Sequence, residues 1–234
     1  MNNSFRTALF DFDGTLVFHE PDSFGVISAY CIEIGQPLSP EAKHAGRRMR
    51  HRYFADPEIV TQIRSFSPKQ FWSDFYRHLL AAVGVDGDLD RHVDEIMDRA
   101  AEMSFTYHCP EAGCQTLTEL RDRGYKLGLI TNRDSVEGFH KILDKTEMWP
   151  YFDLVLASGE VGIRKPEPGI FYTALERLDS QAPEAFYVGD NYWADVVGAE
   201  RAGLTPVLLD PDRVFPEAGC LVLDRIDGLL DWLA

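Results

Sequence analysis

The chain has 234 residues, 45% of them apolar and 12% aromatic, which is enough to bury a sizeable core and too apolar for a disordered segment. Its formal net charge of -15 argues against nucleic acid or an anionic membrane as the main partner, because both are held through concentrated positive charge. The four cysteines, Cys31, Cys109, Cys114 and Cys220, show neither C-x-x-C pairing nor zinc-type spacing and read as thiols of a reducing compartment. In chain order, Ala8-Leu9-Phe10 is the apolar run of a buried strand. It stops at Asp11; Asp13 follows two residues on, then the turn Gly14-Thr15. Two carboxylates so close repel unless a cation sits between them or one holds a proton.

Residues from about 18 to 108 read almost wholly as helices. Ser39-Pro40-Glu41 is a helix start, with Ser as N-cap, Pro at the first helical position and an acid in the first turn. Ser67-Pro68 repeats the device ahead of KQFWSDFYRHLLAAVGV, with Gly84 as the stop, and LDRHVDEIMDRAAEM is a further helix. From about residue 109 helix and strand alternate. The helices are EAGCQTLTELRDRG, SVEGFHKILDKTE, PGIFYTALERL, WADVVGAERAG and IDGLLDWLA; the strands between them are YKLGLIT, FDLVLAS, AFYVG and PVLLD. Short strands separated by single helices imply right-handed crossovers and a parallel sheet, which the opening strand joins. The expectation is an α/β, Rossmann-like core of residues 1–17 and 109–234, interrupted by an all-helical module over 18–108. The N-terminal MNNSFRT lacks a basic-then-apolar leader, and no run approaches the roughly 18 apolar residues of a membrane helix. The expected setting is cytoplasmic, with no nucleic acid or membrane partner, as a monomer or small homo-oligomer.

In open α/β sheets the ligand lies beyond the carboxyl ends of the strands. Strand one ends in Asp11 and Asp13, YKLGLIT in Thr131-Asn132, and AFYVG in Asp190-Asn191, with Asp195 following; Lys165 lies in GEVGIRKPEP after FDLVLAS. Each residue alone has a plain structural reading: a turn former, a cap or a solvated lysine. Their convergence on one rim does not. A carboxylate cluster suits a hard cation such as Mg²⁺, and with a lysine and a hydroxyl it forms a recipe for phosphoryl transfer.

These residues resemble the haloacid dehalogenase superfamily of hydrolases, on its phosphoglycolate phosphatase-like side. DFDGTLV (11–17), LITN (129–132), Lys165 in RKPEPGIF and VGDNYWADVVGA (188–199) are similar to the family's four motifs, in order. The helical insert resembles the family's cap, which closes over the site. The resemblance implies that Asp11 is the nucleophile, forming an aspartyl-phosphate, and Asp13 the general acid and then base. It implies Mg²⁺ held by Asp11, Asp190 and the Asp13 carbonyl, phosphoryl binding by Thr131, Asn132 and Lys165, and support from Asp195 and Asn191. A Mg²⁺-dependent phosphatase of a small phosphorylated metabolite is thereby expected. The alternatives are a sugar phosphomutase of the same family and, from another class, a non-catalytic binding protein on the same fold.

Within the family these residues resemble, carbon–halogen hydrolysis needs only the first aspartate, so the resemblance with Asp13 in place implies phosphate chemistry. For selectivity, HAGRRMRHRYF (44–54) places Arg47, Arg50 and His51 on one helical face. That face is read as solvated first and as a binding surface for an anionic substrate second. His19 and Arg133 complete the candidates for contact with the rest of the substrate.

Overall fold

The computed structural model describes residues 5–63 and 65–234. The leader reading of MNNSFRT rests in part on residues 1–4, which lie outside them. The chain divides into two compact units: the stretch ending at Phe18 together with Tyr107–Ala234, and His19–Thr106.

The first unit is built on a six-stranded sheet. Its strands are β1 (Thr7–Phe10), β4 (Lys126–Thr131), β5 (Leu154–Ala157), β6 (Ala185–Gly189), β7 (Thr205–Leu209) and β8 (Leu221–Leu223), in the order β5-β4-β1-β6-β7-β8. Every pairing among them is parallel. The remaining strands, β2 (Phe18–Glu20) and β3 (Thr106–His108), pair as a separate two-stranded sheet where the chain passes between the units. They fall in the span expected to be all helical. Each is three residues long with no alternation of apolar side chains, so neither leaves a strand signal.

Strand alternation sorts the core into two layers. Ala8, Phe10, Leu127, Leu129, Phe186 and Val188 pack on one face, against Leu117 and Leu120 of α6 (Glu111–Asp122) and Phe139 and Leu143 of α7 (Val136–Lys145). Leu9, Ile130, Ala185 and Tyr187 face the other way, onto Ile170, Phe171 and Ala174 of α9 (Pro168–Arg177). Side chains of period two buried on both faces are what a parallel sheet covered by crossover helices requires. A short helix, α8 (Ser158–Val161), follows β5, and α11 (Gly228–Trp232) ends the chain.

One expected helix is wound differently. Tyr192–Val197 form a π-helix that runs directly into α10 (Gly198–Arg201). Its widened turn begins where the Asn191 side chain accepts from the N–H groups of Trp193 and Ala194 at 3.1 and 3.0 Å. Such turns occur often at functional sites.

The second unit contains α1 (Ser23–Glu33), α2 (Pro40–Tyr53), α3 (Pro57–Ile63), α4 (Pro68–Val83) and α5 (Leu89–Glu102). The caps fall where the sequence puts them. Ser39 caps α2, Ser67 and Gln70 form a capping box on α4, and Gly84 ends α4 at φ 77°. Ile27, Tyr30, Tyr53, Phe75, Leu79, Leu80 and Ile96 form its own core.

Candidate active site

Parallel register brings the key strand ends level. Phe10 stands opposite Leu129 of β4 and Val188 of β6, and the Asp11 N–H extends the ladder to the Val188 carbonyl at 2.8 Å. The residues following these three strands therefore emerge side by side. Asp11, Asp190 and Asp195 each offer a ligand oxygen, all within 4.8 Å of one another. The approach is close enough to dictate two glycines. A Cβ on Gly14, which sits at φ +81°, would stand 2.6 Å from Asp190 Oδ2, and one on Gly189 would stand 2.3 Å from Asp195 Cγ.

Lys165 reaches this cluster from the loop after α8. Its buried ammonium donates to Asp11 Oδ1 at 2.6 Å, Asp195 Oδ1 at 2.7 Å and the Tyr187 hydroxyl at 2.8 Å. Three protons meet three acceptors, so the ammonium is fully committed. The Tyr187 hydroxyl passes its own proton to the Ile130 carbonyl, and Asp195 Oδ2 accepts the Asn191 N–H at 2.8 Å. Burial opposes the lysine's charge, but Asp11 and Asp195 outweigh it and hold its pKa above the ordinary value. Asp11 Oδ2 has no hydrogen-bond partner among the described residues, so one oxygen is pinned and the other is available to react.

The electrostatics of the donor set call for more positive charge. Burial pushes the Asp11 carboxyl well above the usual carboxylate range; Lys165 opposes the shift, and Asp195 and Asp190 add to it. Three carboxylates against one ammonium leave an excess of negative charge. An all-oxygen donor set with that excess fits a hard divalent cation.

The Asn132 side chain ties the loop after β4 to the lysine loop. Its Nδ2 donates to the Lys165 carbonyl at 2.9 Å, and its Oδ1 accepts the Lys165 N–H at 2.8 Å. Thr131 is buried with a hydroxyl that makes no hydrogen bond among the described residues, and the buried Thr15 Oγ1 is likewise unpartnered. Arg133 stands in the first unit and takes Asp13 in a two-pronged grip.

His19, Arg47 and Arg50 belong to the helical unit. His19 Nδ1 lies 3.0 Å from the Pro21 carbonyl, and the Arg47 guanidinium lies over the Phe24 ring at 5.1 Å. His51 departs from the solvated-face reading, being buried on α2, while Arg47 and Arg50 are half-buried. Sequence reasoning missed Tyr187, whose hydroxyl Lys165 engages. The signal for Tyr187 was a polar-tipped ring inside the otherwise apolar strand AFYVG, because a buried phenol needs a partner.

A doubly covered parallel sheet with an acidic cluster and a buried lysine at its carboxyl rim is a Rossmann-like α/β architecture with its polar groups where such sheets place their ligands. The family model of haloacid dehalogenase-like hydrolases matches residues 5–203, and the chain belongs to that family. It is 29% identical over 197 residues to the glyceraldehyde 3-phosphate phosphatase of Methanopyrus kandleri, covering 78% of this chain and 83% of that protein. A shorter match, 42% identical over 99 residues, is to the ribulose-1,5-bisphosphate 5-phosphatase of Halopiger xanaduensis and covers 42% of this chain and 41% of that one. A solved 2-haloacid dehalogenase from Pseudomonas syringae shares the fold, with a TM-score of 0.55, 22% identity and 98% coverage of each chain. The fold alone therefore does not choose between phosphate and halide chemistry; the site residues must.

Proposed function

We propose that this chain is a Mg²⁺-dependent phosphatase that hydrolyses a small phosphate monoester through a phosphorylated Asp11. The observation that carries the reading is one loop holding Asp11, pinned through a single oxygen by Lys165, with a second carboxylate, Asp13, two residues on. Names of the two curated relatives point the same way, since both are phosphatases of small phosphorylated metabolites.

In this reading Asp11 Oδ2 attacks phosphorus and the ester P–O bond breaks. Asp13 gives its proton to the departing alkoxide. Asp13, now a carboxylate, takes a proton from water; that water attacks the phosphorus of phospho-Asp11, releases inorganic phosphate and restores both side chains. The Thr131 hydroxyl and the Asn132 N–H are the donors for phosphoryl oxygens. Lys165, with all three protons engaged, orients Asp11 and offsets its charge; a direct bond to phosphate requires it to exchange one partner.

Asp11, Asp190 and the Asp13 carbonyl would hold Mg²⁺, with Asp195 beside them. Bound there, it would supply the positive charge that lets an anionic phosphate approach an anionic carboxylate. The thiols fit a reducing, cytoplasmic setting for such an enzyme.

The test is phosphate release from a panel of phosphate esters that includes p-nitrophenyl phosphate. Activity is expected with Mg²⁺, lost in EDTA and restored by Mg²⁺. Full turnover in excess EDTA would overturn the reading.

A further inference from the structure

Arg133 follows directly on the Thr131-Asn132 pair, yet its side chain turns to Asp13, 120 residues away in sequence. Nε–H donates to Asp13 Oδ2 at 2.8 Å, and Nη2–H donates to Oδ1 at 2.6 Å. The guanidinium carbon lies 5.8 Å from the Phe12 ring centroid and 5.7 Å from that of Tyr107. Arg133 is one-quarter exposed, and Asp13 keeps 40% of its side-chain surface open to solvent.

A single carboxylate on a turn can rotate about two side-chain bonds. A planar fork that engages both oxygens removes that freedom, fixing the plane of the carboxylate as well as its position. Two rings pack against the fork, so its own geometry is held. The third anchor, Tyr107, is the central residue of β3, the strand on which the chain returns from the helical unit. One guanidinium thus joins the loop after β1, the loop after β4 and β3.

We infer that Arg133 is a positioning residue for Asp13, and that its packing on the Tyr107 ring links the placement of Asp13 to β3. The inference rests on the phosphatase reading for what Asp13 does. It replaces the expectation that Arg133 contacts substrate.

The test is a double-mutant cycle of Arg133→Ala and Asp13→Asn, assayed on an alkyl phosphate and on p-nitrophenyl phosphate. Misplacing a catalytic group by about 1 Å can cost on the order of 100-fold. Arg133→Ala is therefore expected to lower kcat on the alkyl phosphate by about 10- to 100-fold with KM nearly unchanged. The loss should be smaller on p-nitrophenyl phosphate, whose leaving group needs little help from an acid. Arg133→Lys should recover part of the loss, and Tyr107→Ala, which removes the ring the guanidinium packs on, should cost a few-fold. In the Asp13→Asn background, Arg133→Ala should add almost nothing. A raised KM with unchanged kcat, or full additivity with Asp13→Asn, overturns the inference in favour of substrate binding.

A second readout does not need turnover. The Arg133 Nε–H resonance should be protected from solvent exchange in the wild type and lose that protection in Asp13→Asn; unchanged protection also overturns the inference. A wild type that releases no phosphate would sink the phosphatase reading while this spectrum still decided the contact. An active wild type with additive kinetics would sink the positioning role alone.

Discussion

At the scale of single residues, Asp11 and Asp13 share a loop but not an environment. Asp11 is buried at 6% exposure and tied to an ammonium, whereas Asp13 is open and held by a guanidinium. Their substitutions should therefore fail in different ways. On the proposed mechanism, in which Asp11 attacks and Asp13 transfers the proton, Asp11→Asn replaces the attacking carboxylate with an amide and should abolish turnover with no covalent intermediate. Asp13→Asn keeps the nucleophile but loses proton transfer, a contribution of about 10²–10⁴-fold in rate. It should accumulate phospho-enzyme from an activated ester such as p-nitrophenyl phosphate, detectable as a mass increase on the intact protein. A phosphorylated Asp11→Asn variant would remove Asp11 from the nucleophile's role. Neither contrast depends on the identity of the natural substrate.

At the scale of elements, α2 holds a titratable group whose charge it cannot easily accept. His51 lies on this helix at 6% exposure, and burial, then Arg50 and Arg48, push its pKa from 6.5 down to about 3. The unfolded chain takes up a proton as pH falls through 6.5; the folded helix resists until about 3. The stability contributed by the neutral imidazole is thus fully present above pH 6.5 and drains away as pH falls toward 3. The slope is at most about 1.4 kcal/mol per pH unit. Denaturant titrations between pH 7 and 4 should show a steeper loss in the wild type than in His51→Gln, which cannot gain the charge. Parallel curves for the two would refute the burial argument. Helix signals of this kind were legible early. Ser39, Ser67 and Gly84 act on backbone groups within a few residues of themselves, so their meaning does not wait for the fold. The π-helix at Tyr192–Val197 was not legible, because its residues suit an ordinary helix.

At the scale of the molecule, the site concentrates negative charge in a chain that already carries a net -15. A cation that binds only the folded form must then stabilise the whole unit built around the sheet. At a concentration 100 times its dissociation constant, such a ligand adds about 2.7 kcal/mol. At about 2–4 °C per kcal/mol for a chain of this size, Mg²⁺ should raise Tm by roughly 5–10 °C. Asp190→Asn should abolish most of that rise, since Asp190 is one of the three clustered carboxylates. An equal rise in the variant would move the metal elsewhere. Among the described residues no helix is long and apolar enough to cross a membrane.

The amino-acid sequence alone carries the alternation of strands and helices, the strand ends that bear acids, and the candidates Asp11, Asp13, Lys165 and Asp190. Those features are local: an apolar run, a cap or a turn reports its structure within a few residues. It could not determine how side chains far apart in the chain share their bonds. Lys165 and Asp11 are 154 positions apart, and Arg133 and Asp13 are 120 apart. Only the sheet order, with β1 between β4 and β6, brings their loops together. That order gave all three lysine protons to Asp11, Asp195 and Tyr187 and turned Arg133 from a candidate substrate contact into the partner of Asp13. Hydrogen bonds and ion pairs act over a few ångströms, so whichever groups the backbone places within that reach decide a charged side chain's role.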